Sequence, residues 1–167
     1  RDDLRCGLQP RGKQSPGYYS EGCNYTRTTG IWQTVWLERV PERHIRSLQY
    51  YPNVEQNSLT IKATVCGEGI LEARAFYEGR DCGCGQAKVR GQVAALTIPL
   101  TEAHLWEAGK GRLYDLELRY GEDHVKSYFG MREIRIQGEK VLLNGEPVFQ
   151  RLVLDQGYYP EGIYTAP

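Results

Sequence analysis

The stretch SLTIKATV, residues 58–65, decides the fold. Its apolar residues fall at every second position: Leu59, Ile61, Ala63 and Val65 against Thr60, Lys62 and Thr64. Successive side chains of a strand point to opposite faces, so this period of two predicts a strand with one buried and one wet face. The pattern repeats along the chain. Residues 71–77 set Leu71, Ala73, Ala75 and Tyr77 against Glu72 and Arg74, and residues 93–100 offer Leu96, Ile98 and Leu100. Residues 113–120 set Tyr114, Leu116, Leu118 and Tyr120 against Asp115, Glu117 and Arg119, and 125–129 continue the series. Between these runs lie turn-rich pieces such as Gly67-Glu68-Gly69, Gly79-Arg80 and Gly121-Glu122-Asp123.

Upstream, residues 31–38 carry Ile31, Val35 and Leu37 on one face and Trp32 and Trp36 on the other. A strand apolar on both faces is expected to be covered on both. Helix is nearly absent. Thr101 is placed to cap a single turn over 101–106, which Gly109 and Gly111 keep from extending. About seven short strands over roughly 100 residues, with regular turns, predict an all-β chain built on an immunoglobulin-like sandwich. That sandwich is expected over 37–130. A hairpin follows, 134–136 and 140–143 around Gln137-Gly138-Glu139, and Asn144-Gly145 makes a second tight turn. Residues 148–154 then read as a buried closing strand, rich in Val148, Phe149, Leu152, Val153 and Leu154.

Composition narrows the function. The 167 residues suit one or two domains, and 21 Lys and Arg balance 21 Asp and Glu. No net field recruits nucleic acid or anionic lipid, and no run of Lys or Arg supplies a local patch. No apolar run approaches the roughly 20 residues of a membrane span. The chain begins Arg1-Asp2-Asp3-Leu4, without Met or an apolar signal core, which reads as an interior cut. Residues 1–30 lack apolar periodicity and are expected to be mostly irregular. Five cysteines at irregular spacing do not form a disulfide framework, and reduced thiols in a cytoplasmic protein are expected. Asp81-Cys82-Gly83-Cys84-Gly85 reads as a glycine-rich hairpin tip, since His44, His104 and His124 stand apart and supply no zinc set. The sequon Asn24-Tyr25-Thr26 is taken as chance.

Three stretches, in order, resemble glycoside hydrolase family 2, the family of β-galactosidases, β-glucuronidases and β-mannosidases. Residues 28–38, TTGIWQTVWLE, look like the last strand of that family's N-terminal jelly roll. Leu105-Trp106 with Leu113-Tyr114-Asp115-Leu116 is similar to its sandwich pattern. Tyr128-Phe129-Gly130-Met131-Arg132-Glu133-Ile134 and Leu143-Asn144-Gly145-Glu146-Pro147-Val148 resemble the signals that open its catalytic barrel.

The resemblance implies an internal fragment. Residues 1–36 would end the jelly roll, 37–130 would be the sandwich, and 131–167 would begin a (β/α)8 barrel. It implies a parent that hydrolyses terminal β-glycosides, of β-galactosidase type, by a retaining mechanism with two Glu. Both acids would lie beyond Pro167, so no catalytic residue, metal or cofactor is assigned and the fragment is expected to be inactive. Asp155, Gln156, Tyr158 and Tyr159 stand where many members carry Asn, Arg and His, and become candidates for the rim of the parent's sugar pocket. The expected partners are the jelly-roll and barrel domains of the same parent and, for the parent, a carbohydrate. Self-association through the uncovered terminal strands is also expected. Two other readings stay open, a carbohydrate-binding module and a stand-alone immunoglobulin-like interaction domain. Trp32, Trp36 and Trp106 are all expected to pack in the core, against the first of these.

Overall fold

The structure is a computed structural model that describes residues 6, 8, 12–28, 30–31, 33–159 and 161–166. The described chain is all-β. It clusters into two compact units: Arg39–Gln150, and the described residues of Arg1–Glu38 together with those of Arg151–Pro167.

The first unit holds ten strands: β1 (His44–Asn53), β2 (Ser58–Cys66), β3 (Gly69–Tyr77), β4 (Arg80–Val89), β5 (Val93–Pro99), β6 (Tyr114–Tyr120), β7 (Asp123–Phe129), β8 (Ile134–Gln137), β9 (Lys140–Leu143) and β10 (Glu146–Pro147). The first seven form the sandwich, with β1-β2-β5 in one antiparallel sheet and β4-β3-β6-β7 in the other. The inward faces are those the alternation predicts. Leu59, Ile61, Ala63 and Val65 of β2 meet Leu71, Ala73 and Ala75 of β3, Leu96 and Ile98 of β5, and Leu116 and Leu118 of β6, all buried. Each large aliphatic side chain removed from water contributes about 1.5–3 kcal/mol, so this face holds the sheets together.

The predicted strand membership needs two additions and two removals. β1 is added. Its alternation is broken where the register shifts between Ile45 and Ser47, and only Ile45, Leu48 and Tyr50 pack partly on the core. β4 is also added, and it takes in the whole Asp81–Gly85 stretch that was expected to be a hairpin tip. The tip is Glu78-Gly79, both at positive φ (50° and 78°). Cys82 is the extra residue of a bulge opposite Ala75 and Phe76, and it is buried. Gly83 and Gly85 are there because β5 passes close by. A Cβ at Gly83 would lie 2.3 Å from the Pro99 carbonyl oxygen, and one at Gly85 2.7 Å from that of Thr97.

Residues 31–38 are the first removal. Among the described ones there is no strand, and Ile31, Val35, Trp36 and Leu37 are exposed, with the Trp36 indole N–H donating to Glu38 at 2.8 Å. A strand needs a ladder partner, and these residues have none within the described chain. Trp32 lies outside the described residues. The closing strand fails for the same reason. Phe149, Leu152, Val153 and Leu154 are exposed in irregular backbone.

No helix forms over 101–106. Its backbone groups have other partners. Thr101 N–H donates to the Cys82 carbonyl at 2.9 Å, and Trp106 N–H donates to that of Met131 at 2.9 Å. The His104 N–H donates to the Tyr114 hydroxyl, which itself donates to the Glu102 carbonyl, both at 2.7 Å. Tyr114 opens β6 and is fully buried, so the segment between β5 and β6 hangs on one phenol, as in a tyrosine corner.

Beyond the sandwich, β8, β9 and β10 form a small antiparallel sheet. Asn144 and Gly145, at φ 52° and 86°, make the tight turn between β9 and β10. The Asn144 side chain donates to the Trp106 carbonyl at 2.9 Å and accepts from the Glu133 N–H at 3.0 Å. Arg132 lies 4.9 Å over the Trp106 ring, which is half-buried. Trp106, Gly130 to Arg132 and Asn144, drawn from separate sequence stretches, thus meet in one knot.

Candidate functional site

The candidate rim residues belong to the second unit. Its N-terminal part is pinned by backbone. Ser15 N–H donates to the Tyr25 carbonyl and Tyr25 N–H to that of Lys13, each at 2.7 Å, and Ser15 is buried. Between them a tight turn at Glu21–Asn24 uses Gly22 at φ 58°. Thr28 N–H reaches the Gln14 amide oxygen at 3.1 Å. Arg27 donates to the Pro16 carbonyl and stands 5.3 Å over the Tyr18 ring.

The C-terminal part folds on itself through short turns. Asp155 accepts the Gly157 N–H at 2.8 Å, and Gly157 sits at φ 58°. Tyr159 and Ile163 exchange both backbone hydrogen bonds, at 2.7 and 2.9 Å, around a loop in which Ile163 has φ 58°. A β-branched residue rarely adopts this left-handed conformation.

The two parts meet through aromatic rings. Tyr25 and Tyr158 stack with centroids 4.3 Å apart and planes 8° apart, and Tyr164 meets Tyr158 edge-on at 5.7 Å. The Tyr25 hydroxyl donates to the Gln156 amide oxygen at 2.6 Å, and the Tyr158 hydroxyl donates to the Thr26 carbonyl at 3.4 Å. Of the four candidates, Gln156 and Tyr158 thus share one partner, Tyr25. Asp155 is exposed and spent partly on its own turn, and Tyr159 acts through its backbone. Sequence reasoning passed over Tyr25, because its segment has no periodicity to read. The density of Tyr in 18–25 and 158–164 is the one hint.

In the sandwich unit, the outer face of β4-β3-β6-β7 bears an open cleft of about 630 Å³. Its charges alternate in register, Glu72 opposite Arg119 and Arg74 opposite Glu117, so the face is neutralised. Across this unit acids sit beside cations. Glu107 lies 3.6 Å from Lys110, Glu117 3.9 Å from Lys126, and Glu133 2.9 Å from Arg135. Glu102 accepts from His104 at 2.8 Å, with Arg80 at 3.7 Å. The His104 hydrogen bond, and then the Arg80 charge, hold its carboxyl below the usual carboxylate range. A general acid needs the opposite shift. Among the described residues no three His, Cys, Asp or Glu side chains gather to hold a metal ion. Cys23, Cys66, Cys82 and Cys84 are free thiols.

Seven strands in two antiparallel sheets with a tyrosine corner define an immunoglobulin-like sandwich domain. The model of the glycosyl hydrolases family 2 matches residues 43–132, more than half of the chain, and the chain belongs to that family. Among curated proteins it is 25% identical over 144 residues to a β-glucuronidase of Paenibacillus borealis, covering 82% of this chain and 23% of that protein. It is 24% identical over 162 residues to a β-galactosidase of Leuconostoc mesenteroides, covering 83% and 16%. Among solved structures, a β-glucuronidase from Ruminococcus gnavus in complex with uronic deoxynojirimycin shares the fold, with a TM-score of 0.53 and 24% identity. That likeness covers 66% of this chain and 19% of that one. The chain thus spans less than a quarter of the length of each of these relatives.

Proposed function

We propose that this chain is a non-catalytic scaffold portion of a larger glycosidase, whose whole protein hydrolyses terminal β-glycosides with retention. The observation that carries this reading is the family match across the sandwich. In that reading the sandwich holds a preceding jelly roll and a following barrel at a fixed relation. Positioning of this kind matters, because a displacement of about 1 Å at a catalytic group can cost roughly a hundredfold in rate. The exposed apolar runs support it. Ile31, Val35, Trp36 and Leu37, and Phe149 with Leu152 to Leu154, are surfaces of the sort that a packed neighbour covers.

The same reading makes the isolated chain inactive. Retaining hydrolysis needs two carboxyl groups about 5–5.5 Å apart, one of them kept protonated. The acids described above face cations, and the Glu102 carboxyl is held below the usual carboxylate range, the reverse of what a general acid requires. Incubating the 167-residue chain with p-nitrophenyl β-galactoside and β-glucuronide is expected to release no more nitrophenol than a mock preparation; release above mock overturns the scaffold reading.

For the whole protein we take β-galactosides as the substrate class. The β-galactosidase relative, aligned over 162 residues, supports it. The β-glucuronidase relative supports the rival. Comparing kcat/KM of the full-length protein on the two aryl glycosides decides between them, and a preference for the glucuronide overturns the galactoside assignment. The sugar-binding-module reading gains an exposed Trp36, but its indole N–H is engaged by Glu38 and it is flanked by the aliphatic Val35 and Leu37.

A further inference from the structure

We propose that Tyr25 is a positioning residue, which fixes Gln156 and Tyr158 at the rim of the sugar pocket from a part of the chain 131 residues away. The sugar in this proposal rests on the reading above, and the geometry does not.

Residues 151–158 have no strand ladder to hold them. Among the described residues, the ring that Gln156 and Tyr158 share is Tyr25. Tyr25 stacks flat on Tyr158, and its hydroxyl reaches the Gln156 amide oxygen at 2.6 Å. Tyr164 closes on Tyr158 edge-on at 5.7 Å, and the Tyr158 hydroxyl ties to the Thr26 carbonyl. Tyr25 can act as an anchor because both of its backbone groups are spent in the bridge to Lys13 and Ser15. A ring fixed at its own backbone transmits that fixity to what stacks on it.

The hydrogen bond also has a chemical consequence. With the Gln156 oxygen engaged by a donor, the amide nitrogen becomes the group Gln156 offers outward. That nitrogen carries two N–H donors, which suit the hydroxyl oxygens of a pyranose. Removing the Tyr25 hydroxyl leaves the amide without this anchor and free to turn. Tyr25 thereby holds the Gln156 amide in place at the rim, without touching the sugar itself.

Two variants separate the contributions. Tyr25→Phe keeps the stack and removes the hydroxyl; Tyr25→Ala removes both. In the 167-residue chain, hydrogen–deuterium exchange of the Tyr159, Ile163 and Thr165 amides reads the order of the rim. Tyr25→Ala is expected to speed their exchange by about tenfold or more while β2 and β6 stay protected, because they open locally and not with the sandwich. Exchange unchanged by Tyr25→Ala overturns the proposal. In the full-length protein with an aryl β-glycoside, Tyr25→Phe is expected to raise KM about three- to tenfold with kcat nearly kept, the mark of lost uniform binding. Equal losses in kcat and kcat/KM, or no change, overturn the rim assignment. A full-length protein that cleaves no β-glycoside overturns the glycosidase reading and removes the sugar from this proposal, and the exchange result still decides whether Tyr25 holds the segment.

Discussion

At the scale of residues, two side chains carry the connection between β5 and β6. Tyr114 is buried, and burial pushes its phenol above the ordinary value, so it remains a neutral donor. It makes hydrogen bonds to Glu102 and from His104, and its ring stacks on Phe129 at 4.9 Å. Tyr114→Phe keeps the stack and strands two backbone groups. A loss of about 1–3 kcal/mol is expected, seen as a fall in the urea midpoint with an unchanged slope. Beside it, Glu102 gives a pH dependence. Its folded pKa lies below the ordinary 4.5, so its contribution is present above about that pH and fades as pH falls through the folded value. The gap in melting temperature between the native chain and Glu102→Gln should therefore be largest at neutral pH and close on acidification. A gap constant from pH 7 to pH 3 would show that the His104 hydrogen bond and the Arg80 charge contribute nothing through Glu102.

At the scale of elements, the knot of Trp106, Arg132 and Asn144 explains why scattered sequence stretches matter together. Asn144 serves twice, as a residue that tolerates positive φ and as a side chain bonded to Trp106 and Glu133. Asn144→Gly preserves the first role and removes the second. It should raise amide exchange in β8 and β9 while the sandwich strands stay protected; equal protection in both would mean the turn, not the side chain, holds the small sheet. The elements also show what sequence can reveal. β2, β3, β5 and β6 were legible because one face is core and the other water, so the burial code and the two-residue period coincide. β4 was not, because glycine there answers to the nearby β5 backbone and not to a buried face. β1 was hidden by its bulge and shallow burial. Residues 31–38 and 148–154 misled in the other direction, since their apolar residues are exposed in this chain and the pattern alone does not say what covers them. Of the candidate rim, the sequence offered Asp155 to Tyr159 through a resemblance. Tyr25 was beyond reach, because a contact between chain segments 131 residues apart leaves no local period.

At the scale of the molecule, the two exposed apolar runs set its solution behaviour. Val153 is 90% exposed and Leu37 fully so, with aliphatic or aromatic neighbours on each run. Scattered apolar residues on a surface are ordinary, but contiguous ones favour association. With equal numbers of acidic and basic residues, no net charge opposes the approach of two copies. The chain is therefore expected to self-associate, with a weight-average mass by light scattering that rises with concentration. The interaction is apolar, so added salt should not weaken it, in contrast to one built on surface ion pairs. Placing a charge in each run separates their roles. Leu152→Asp with Val153→Asp should lower the association if the C-terminal run is the contact, and Val35→Asp with Leu37→Asp if it is the N-terminal one. Melting of the sandwich should not move in either variant, since neither run belongs to its core. A mass that stays at 19.1 kDa across the concentration range would show that these runs are masked in solution.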